Sequence, residues 1–182
     1  MRQVQLPLSR EDALSLRAGD SILLTGPLYT ARDAAHKRLA QLIGTGQALP
    51  IDLSGQTIYY VGPTPAKPGQ AVGSAGPTTS SRMDAYTERL LALGLRGMIG
   101  KGMRSADVIR AMRAAGAVYF GATGGAAALI SRSIRSSKVI CYEDLGPEAI
   151  HLFEVADFPA VVLIDSEGGN LYETGPHTYR RG

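Results

Sequence analysis

Short apolar runs alternating with segments of helical periodicity set the narrowest limits on what this chain can fold into. The runs "SILLTG", "TIYYVG", "RGMIGKG", "AVYFGAT", "KVICYE", "AIHLFEV" and "AVVLID" have strand length, and several close on glycine. Apolar residues recur at helical spacing over roughly 31–43, 80–93, 105–115 and 124–131. That alternation predicts an α/β domain with a largely buried sheet. At 182 residues the chain suits one domain, with 45% hydrophobic and 19% charged residues supporting a packed core rather than disorder.

Composition also excludes function classes. No apolar run approaches the roughly 18 residues that a membrane span needs, and the N-terminal "MRQVQLPLSREDALSLRAGD" lacks the pattern of a secretory signal. A cytoplasmic protein with no membrane association is expected. The net charge is +3, but the basic residues are scattered, and three Phe with no Trp leave little to stack on bases. Nucleic-acid binding is therefore not expected. The single cysteine, Cys141, excludes an internal disulfide and any site built from several cysteines of this chain. It lies in an apolar run and reads as a buried core thiol.

Three predicted helix starts carry a cation where the free N–H groups and the helix dipole favour an anion, a misplacement that costs about a few tenths of a kcal/mol. In "TARDAAHKRLAQLI", Arg32 sits between Thr30 and Asp33, which read as a capping box, with Leu39, Leu42 and Ile43 facing inward. In "PTTSSRMDAYTERLLALG", Thr78 or Thr79 reads as the cap, Arg82 falls in the first turn, and Met83, Tyr86, Leu90 and Leu93 face inward. In "IGKGMRSADVIRAMRAAG", Lys101 stands between two glycines, Ser105 caps, and Ala106, Ile109 and Met112 pack. A cation beside the positive end of a helix makes sense when an anion lies between them, held jointly by backbone and side chain. Three such places point to a multiply charged acid. The competing reading of Arg32 and Arg82 is that they point away and pair with surface acids. "GLRGMIGKG" is not a phosphate loop: five residues separate Gly94 from Gly100, and Gly102 stands where Ser or Thr would hold magnesium.

Taken together, "TARDAAHKRL", "YYVGPTPAKPGQAVGSAGPTTSSRMD" and "GKGMRS", in that order and spacing, resemble the β subunit, or C-terminal domain, of class I fumarases and the related L-tartrate dehydratases. The resemblance runs from about Gly19 to Gly169. It implies a single swivelling β/β/α domain, a partner α subunit holding a [4Fe-4S] cluster, and reversible hydration of fumarate to L-malate in a hetero-oligomer. The chain itself would hold no metal. The resemblance also assigns Arg32, Arg82 and Lys101 to the carboxylates of a C4 dicarboxylate substrate. It makes Thr78 the base that takes the proton from C3 of malate, against the simpler reading of a helix cap. Asp33, His36, Thr79 and Asp84 are expected behind these residues, as supports or caps. "AHKR" and "YYVGPTPA" are closer to the fumarases, leaving an L-tartrate or other hydroxy-diacid dehydratase as one alternative and a non-catalytic dicarboxylate-binding or assembly module as another. Lys67, in the proline- and glycine-rich loop, reads as a solvated tip, and "FGATGGAAALI" as close strand-to-helix packing. The segment from Gly168 reads as frayed or turned towards an interface.

Overall fold

Side chains alternate along the central strands between two apolar cores, and that two-residue period sets the architecture. The computed structural model describes residues 1–122 and 127–179. Its elements are β1 Arg2–Gln5, α1 Arg10–Ser15, β2 Ser21–Thr30, α2 Asp33–Gly44, β3 Thr57–Tyr59, α3 Asp84–Ala92, β4 Gly97–Gly100, α4 Ala106–Ala115, β5 Val118–Ala122, α5 Ala127–Ser133, β6 Ile134–Cys141, β7 Ile150–Ile164 and α6 Leu171–Tyr179. Tyr59, Ile99, Val118 and Phe120 enter one core with Leu24 and Leu28 of β2. Their neighbours Ile58, Met98 and Tyr119 enter the other, beneath Leu39 of α2, Leu90 of α3 and Met112 of α4.

The strands close into a barrel-like ring. β2, β3, β4 and β5 run parallel in that order. β7 is antiparallel to β5 and pairs again with β2, completing the circuit, while β1 and β6 flank it. Two predicted strands, "AIHLFEV" and "AVVLID", are one 15-residue strand, β7. Asp157, at φ 54°, explains why they looked separate. Phe153 and Val155 face the first core before it, whereas Phe158, Ala160 and Val162 do so after it. A one-residue irregularity thus switches the parity while keeping both halves on the same face.

The ends differ from expectation. Val4, Leu6, Leu8 and Leu16 are buried, so residues before Gly19 contribute to the core. Within the described residues after Gly169 the chain is helical, forming α6, and Asn170 Oδ1 accepts the Tyr172 N–H at 3.0 Å. Part of the predicted helix over 124–131, and of the "FGATGGAAALI" packing, lies outside the described residues; from Ala127 the helix is present as α5. Among the described residues no helix is long and apolar enough to cross a membrane.

Candidate active site

Parallel strands gather their carboxyl ends on one side, the side where α/β folds, open or closed, place their ligand sites. Arg32 follows β2, the turn bearing Arg82 returns beside the end of β3, and Lys101 follows β4. The loop between β3 and that turn is pinned where it leaves and re-enters. Thr64 and Ser74 pair across its base, and the Thr78 N–H donates to Tyr60 O at 2.7 Å. Lys67 is exposed on this loop. Thr79 then forms a parallel bridge with Lys101, and the Ser80 N–H donates to Lys101 O at 2.8 Å. Thr78 and Lys101 are thus brought to adjacent strand ends by backbone bonds alone. Gly100 permits this approach, because a Cβ there would stand 2.0 Å from Ser80 Oγ and 2.9 Å from the Tyr60 ring.

Of the three predicted caps, those before α2 and before α3 are not made. Arg32 itself occupies the N-cap position of α2, with extended backbone and no side-chain cap bond. Thr30 Oγ1 instead accepts the His151 N–H at 3.1 Å, so the Thr30–Asp33 capping box does not form. Arg82 belongs to a 3-10 turn, Ser80–Met83, that precedes α3, and Thr79 at its N-cap makes no side-chain cap bond. Thr78 is not a cap. It is half-buried, and among the described residues nothing hydrogen-bonds its hydroxyl. Ser105 does cap α4, accepting the Val108 N–H at 3.3 Å.

Asp33 joins the two arginines. Arg82 Nε donates to Asp33 Oδ1 at 3.0 Å, while Asp33 Oδ2 lies 3.9 Å from Arg32 Nε. Arg32 Nε is also 3.9 Å from Glu148 Oε1, in the 3-10 segment Glu143–Glu148. These separations exceed a hydrogen bond, leaving Arg32 Nε, Asp33 Oδ2 and Glu148 Oε1 buried without hydrogen-bond partners among the described residues. The Asp33 carboxylate thus lies between Arg32 and Arg82. Arg82 is 53% exposed and its bond to Asp33 is therefore weak, worth about 0–1 kcal/mol and open to competition. Lys101 is exposed and has no ion-pair partner among the described residues.

Behind this surface lies a buried polar cluster centred on Arg104, which the sequence pattern did not single out. Its side chain is fully buried; Nε donates to Asp84 Oδ1 at 2.7 Å and Nη2 to Thr87 Oγ1 at 2.9 Å. The guanidinium also lies over the Tyr60 and Tyr119 rings, 5.3 and 5.0 Å from their centroids. Asp84 Oδ2 accepts the Ser105 N–H at 2.8 Å, so one carboxylate ties the start of α3 to the start of α4. A sequence signal existed: Asp84 and Thr87 fall at i and i+3 on the face of α3 that buries Leu90 and Leu91. Polar residues within a buried stripe demand a buried partner.

His36 lies in the same layer, wholly buried, with its ring 5.4 Å from that of Tyr60. Its Nδ1 is 2.8 Å from Arg32 O, and a carbonyl only accepts, so Nδ1 carries the proton. Burial lowers its pKa to about 4, keeping it neutral at pH 7. The structure places it behind Arg32, holding the backbone from which that side chain extends.

A family model described as "Fumarase C-terminus" matches residues 1–175. The chain belongs to the fumarase C-terminus family. It is 41% identical over 152 residues to the aerobic class I fumarate hydratase of Escherichia coli (strain K12), covering 82% of this chain and 28% of that protein. Fumarate hydratase 2 of Leishmania major is 36% identical over 165 residues, 90% of this chain and 29% of that protein. A Methanocaldococcus jannaschii protein named "Putative L(+)-tartrate dehydratase subunit beta" is 37% identical over 172 residues, 91% of this chain and 88% of that protein. The chain therefore spans less than a third of these two fumarate hydratases and most of the tartrate dehydratase subunit.

Family membership does not put a cluster site on this chain. Cys141, its only cysteine, is half-buried at the end of β6, less enclosed than its apolar run suggested, and burial pushes its thiol pKa up. Among the described residues there is no group of three or more His, Cys, Asp and Glu that could hold a metal ion. These residues do not fit a [4Fe-4S] cluster.

Proposed function

We propose that this chain is the β subunit of a class I fumarase-type hydro-lyase, binding a C4 dicarboxylate in the reversible hydration of fumarate to L-malate. The observation that carries the reading is the Asp33 carboxylate seated between Arg32 and Arg82, at strand ends shared with Thr78 and Lys101. On this proposal an α subunit holds the [4Fe-4S] cluster, and this chain moves against it as a single swivelling domain. A substrate carboxylate displaces Asp33 from Arg82, whose planar fork suits two-point contact, while Lys101 supplies a point charge to the second carboxylate. Removing a proton from the carbon next to a carboxylate builds charge on that carboxylate. Fixed cations aimed there stabilise the transition state more than the ground state.

Thr78 is the proposed base: its Oγ takes the C3 proton of malate and returns it when fumarate is hydrated. A neutral threonine hydroxyl is too weak for this, so the cations nearby must favour the alkoxide. Thr78→Val tests the role, since it keeps the branched shape and deletes only the oxygen. In the reconstituted complex it is expected to lower kcat by about two to four orders of magnitude with KM little changed. Retained kcat removes Thr78 from the chemistry.

The Methanocaldococcus jannaschii relative, 88% of which this chain covers, favours a second substrate reading, L-tartrate. Assaying both acids with one preparation separates the two.

A further inference from the structure

The turn after β4 is held at three points, and one of them comes from the far end of the chain. Lys101 O accepts the Ser80 N–H at 2.8 Å. Gly102 O lies 2.8 Å from Tyr119 Oη, which is also 2.8 Å from Ser80 Oγ. A carbonyl cannot donate, so the Tyr119 phenol donates to Gly102 O and the Ser80 hydroxyl donates to the phenol. The Gly102 N–H then donates to Tyr172 Oη, on α6, at 3.1 Å. Gly102 has φ 87°, a conformation that favours glycine, and its N–H and C=O lie beyond the last ladder bond of β4. Two tyrosine hydroxyls therefore supply what the sheet does not.

We propose that Tyr172 is a positioning residue for Lys101, acting through the Gly102 peptide; this rests on the reading of Lys101 as a substrate-carboxylate cation. Lys101 has no ion-pair partner among the described residues, so the direction in which its long side chain leaves the backbone is set by the turn alone. The register of α6 is fixed independently by Asp165. Its Oδ1 accepts the Glu167 and Gly169 N–H groups at 3.0 and 2.9 Å, and its Oδ2 accepts the Ala18 N–H at 3.0 Å. Gly169 leaves room for that carboxylate, since a Cβ there would lie 2.3 Å from Oδ2. The C-terminal segment thus delivers one hydroxyl to the site from outside the ring of strands.

The test is a double-mutant cycle in the complex reconstituted with the cluster-bearing partner, assayed with fumarate, malate and tartrate. Tyr172→Phe deletes one oxygen and is expected to lower kcat/KM about tenfold, since small misplacements of a charged group cost up to about a hundredfold. Lys101→Ala is expected to cost more. Adding Tyr172→Phe to Lys101→Ala should cost nothing further, because the hydroxyl acts only through that lysine. A merely structural tyrosine would lower activity equally in both backgrounds, and that result overturns the proposal, as does full activity of Tyr172→Phe. Amide exchange supplies a readout without turnover: Gly102 should lose protection in Tyr172→Phe while α4 keeps its own, and unchanged Gly102 exchange overturns the clamp. Full activity of Lys101→Ala overturns the assignment of Lys101 and this proposal with it. A wild-type complex with loaded cluster that turns over none of the three acids instead sinks the hydro-lyase reading, and this role of Lys101 falls with it.

Discussion

Asp33 shows how much a single side chain can reveal about a site. On the proposed function it occupies the position that an arriving carboxylate would take, and its bond to the half-exposed Arg82 is weak enough to yield. The misplaced cations were legible in the sequence because dipole and charge are local properties; the acid that bridges two of them was read as a support or cap with no partner named, since Arg82 lies 49 residues further on. His36 was visible but its burial was not. Its folded pKa, about 4, lies below the ordinary 6.5, so between those values the unfolded chain binds more protons and stability rises with pH. The contribution is complete above about pH 6.5 and drains as pH falls towards 4, amounting to on the order of 3 kcal/mol. His151 is shifted in the same direction, so the wild type alone does not isolate the effect. His36→Gln keeps a donor for Arg32 O and removes the titration. Its denaturation midpoint should fall less steeply than the wild type's between pH 6.5 and 4.5, whereas equal slopes would show that His36 does not titrate there.

At the scale of elements, periodicity located the helices better than it located their faces. Leu93 and Ala106 were expected inside and are exposed, while Leu91 and Val108 are buried instead, because α3 starts only after a 3-10 turn and α4 turns its first residue outward. The same turn moves Arg82 out of the first turn of an α-helix, so its link to a helix dipole is weaker than the sequence suggested. What fixes the start of α3 is the buried pair Asp84–Arg104, whose members lie 20 residues apart and meet only once both helices pack. Removing one member leaves a charge uncompensated in the interior. Arg104→Met is expected to destabilise the fold by about 3–5 kcal/mol, and adding Asp84→Asn should restore part of that loss. Urea denaturation of the two variants checks it. A single variant within about 1 kcal/mol of wild type would show that the pair is dispensable.

For the molecule as a whole, the α/β class was legible from alternating runs, but closure of the ring was not, because it depends on β7 pairing with both β2 and β5. That closure turns four parallel strand ends into one rim, and the cations that sequence reasoning picked out lie along it. On the proposed function the rim grips carboxylates, while the chain has one cysteine and, among the described residues, no group that could hold a metal ion. A partner is therefore central to the account. The decisive measurement is malate-to-fumarate conversion, followed by ultraviolet absorbance under strictly anaerobic conditions, by a tagged complex of this chain isolated from its native host and compared with Arg82→Ala. The account predicts conversion by a complex containing an iron-bearing partner, with kcat/KM lowered at least about a hundredfold in the folded variant. Wild-type turnover by Arg82→Ala, or no conversion of malate despite an iron-loaded partner, would contradict it.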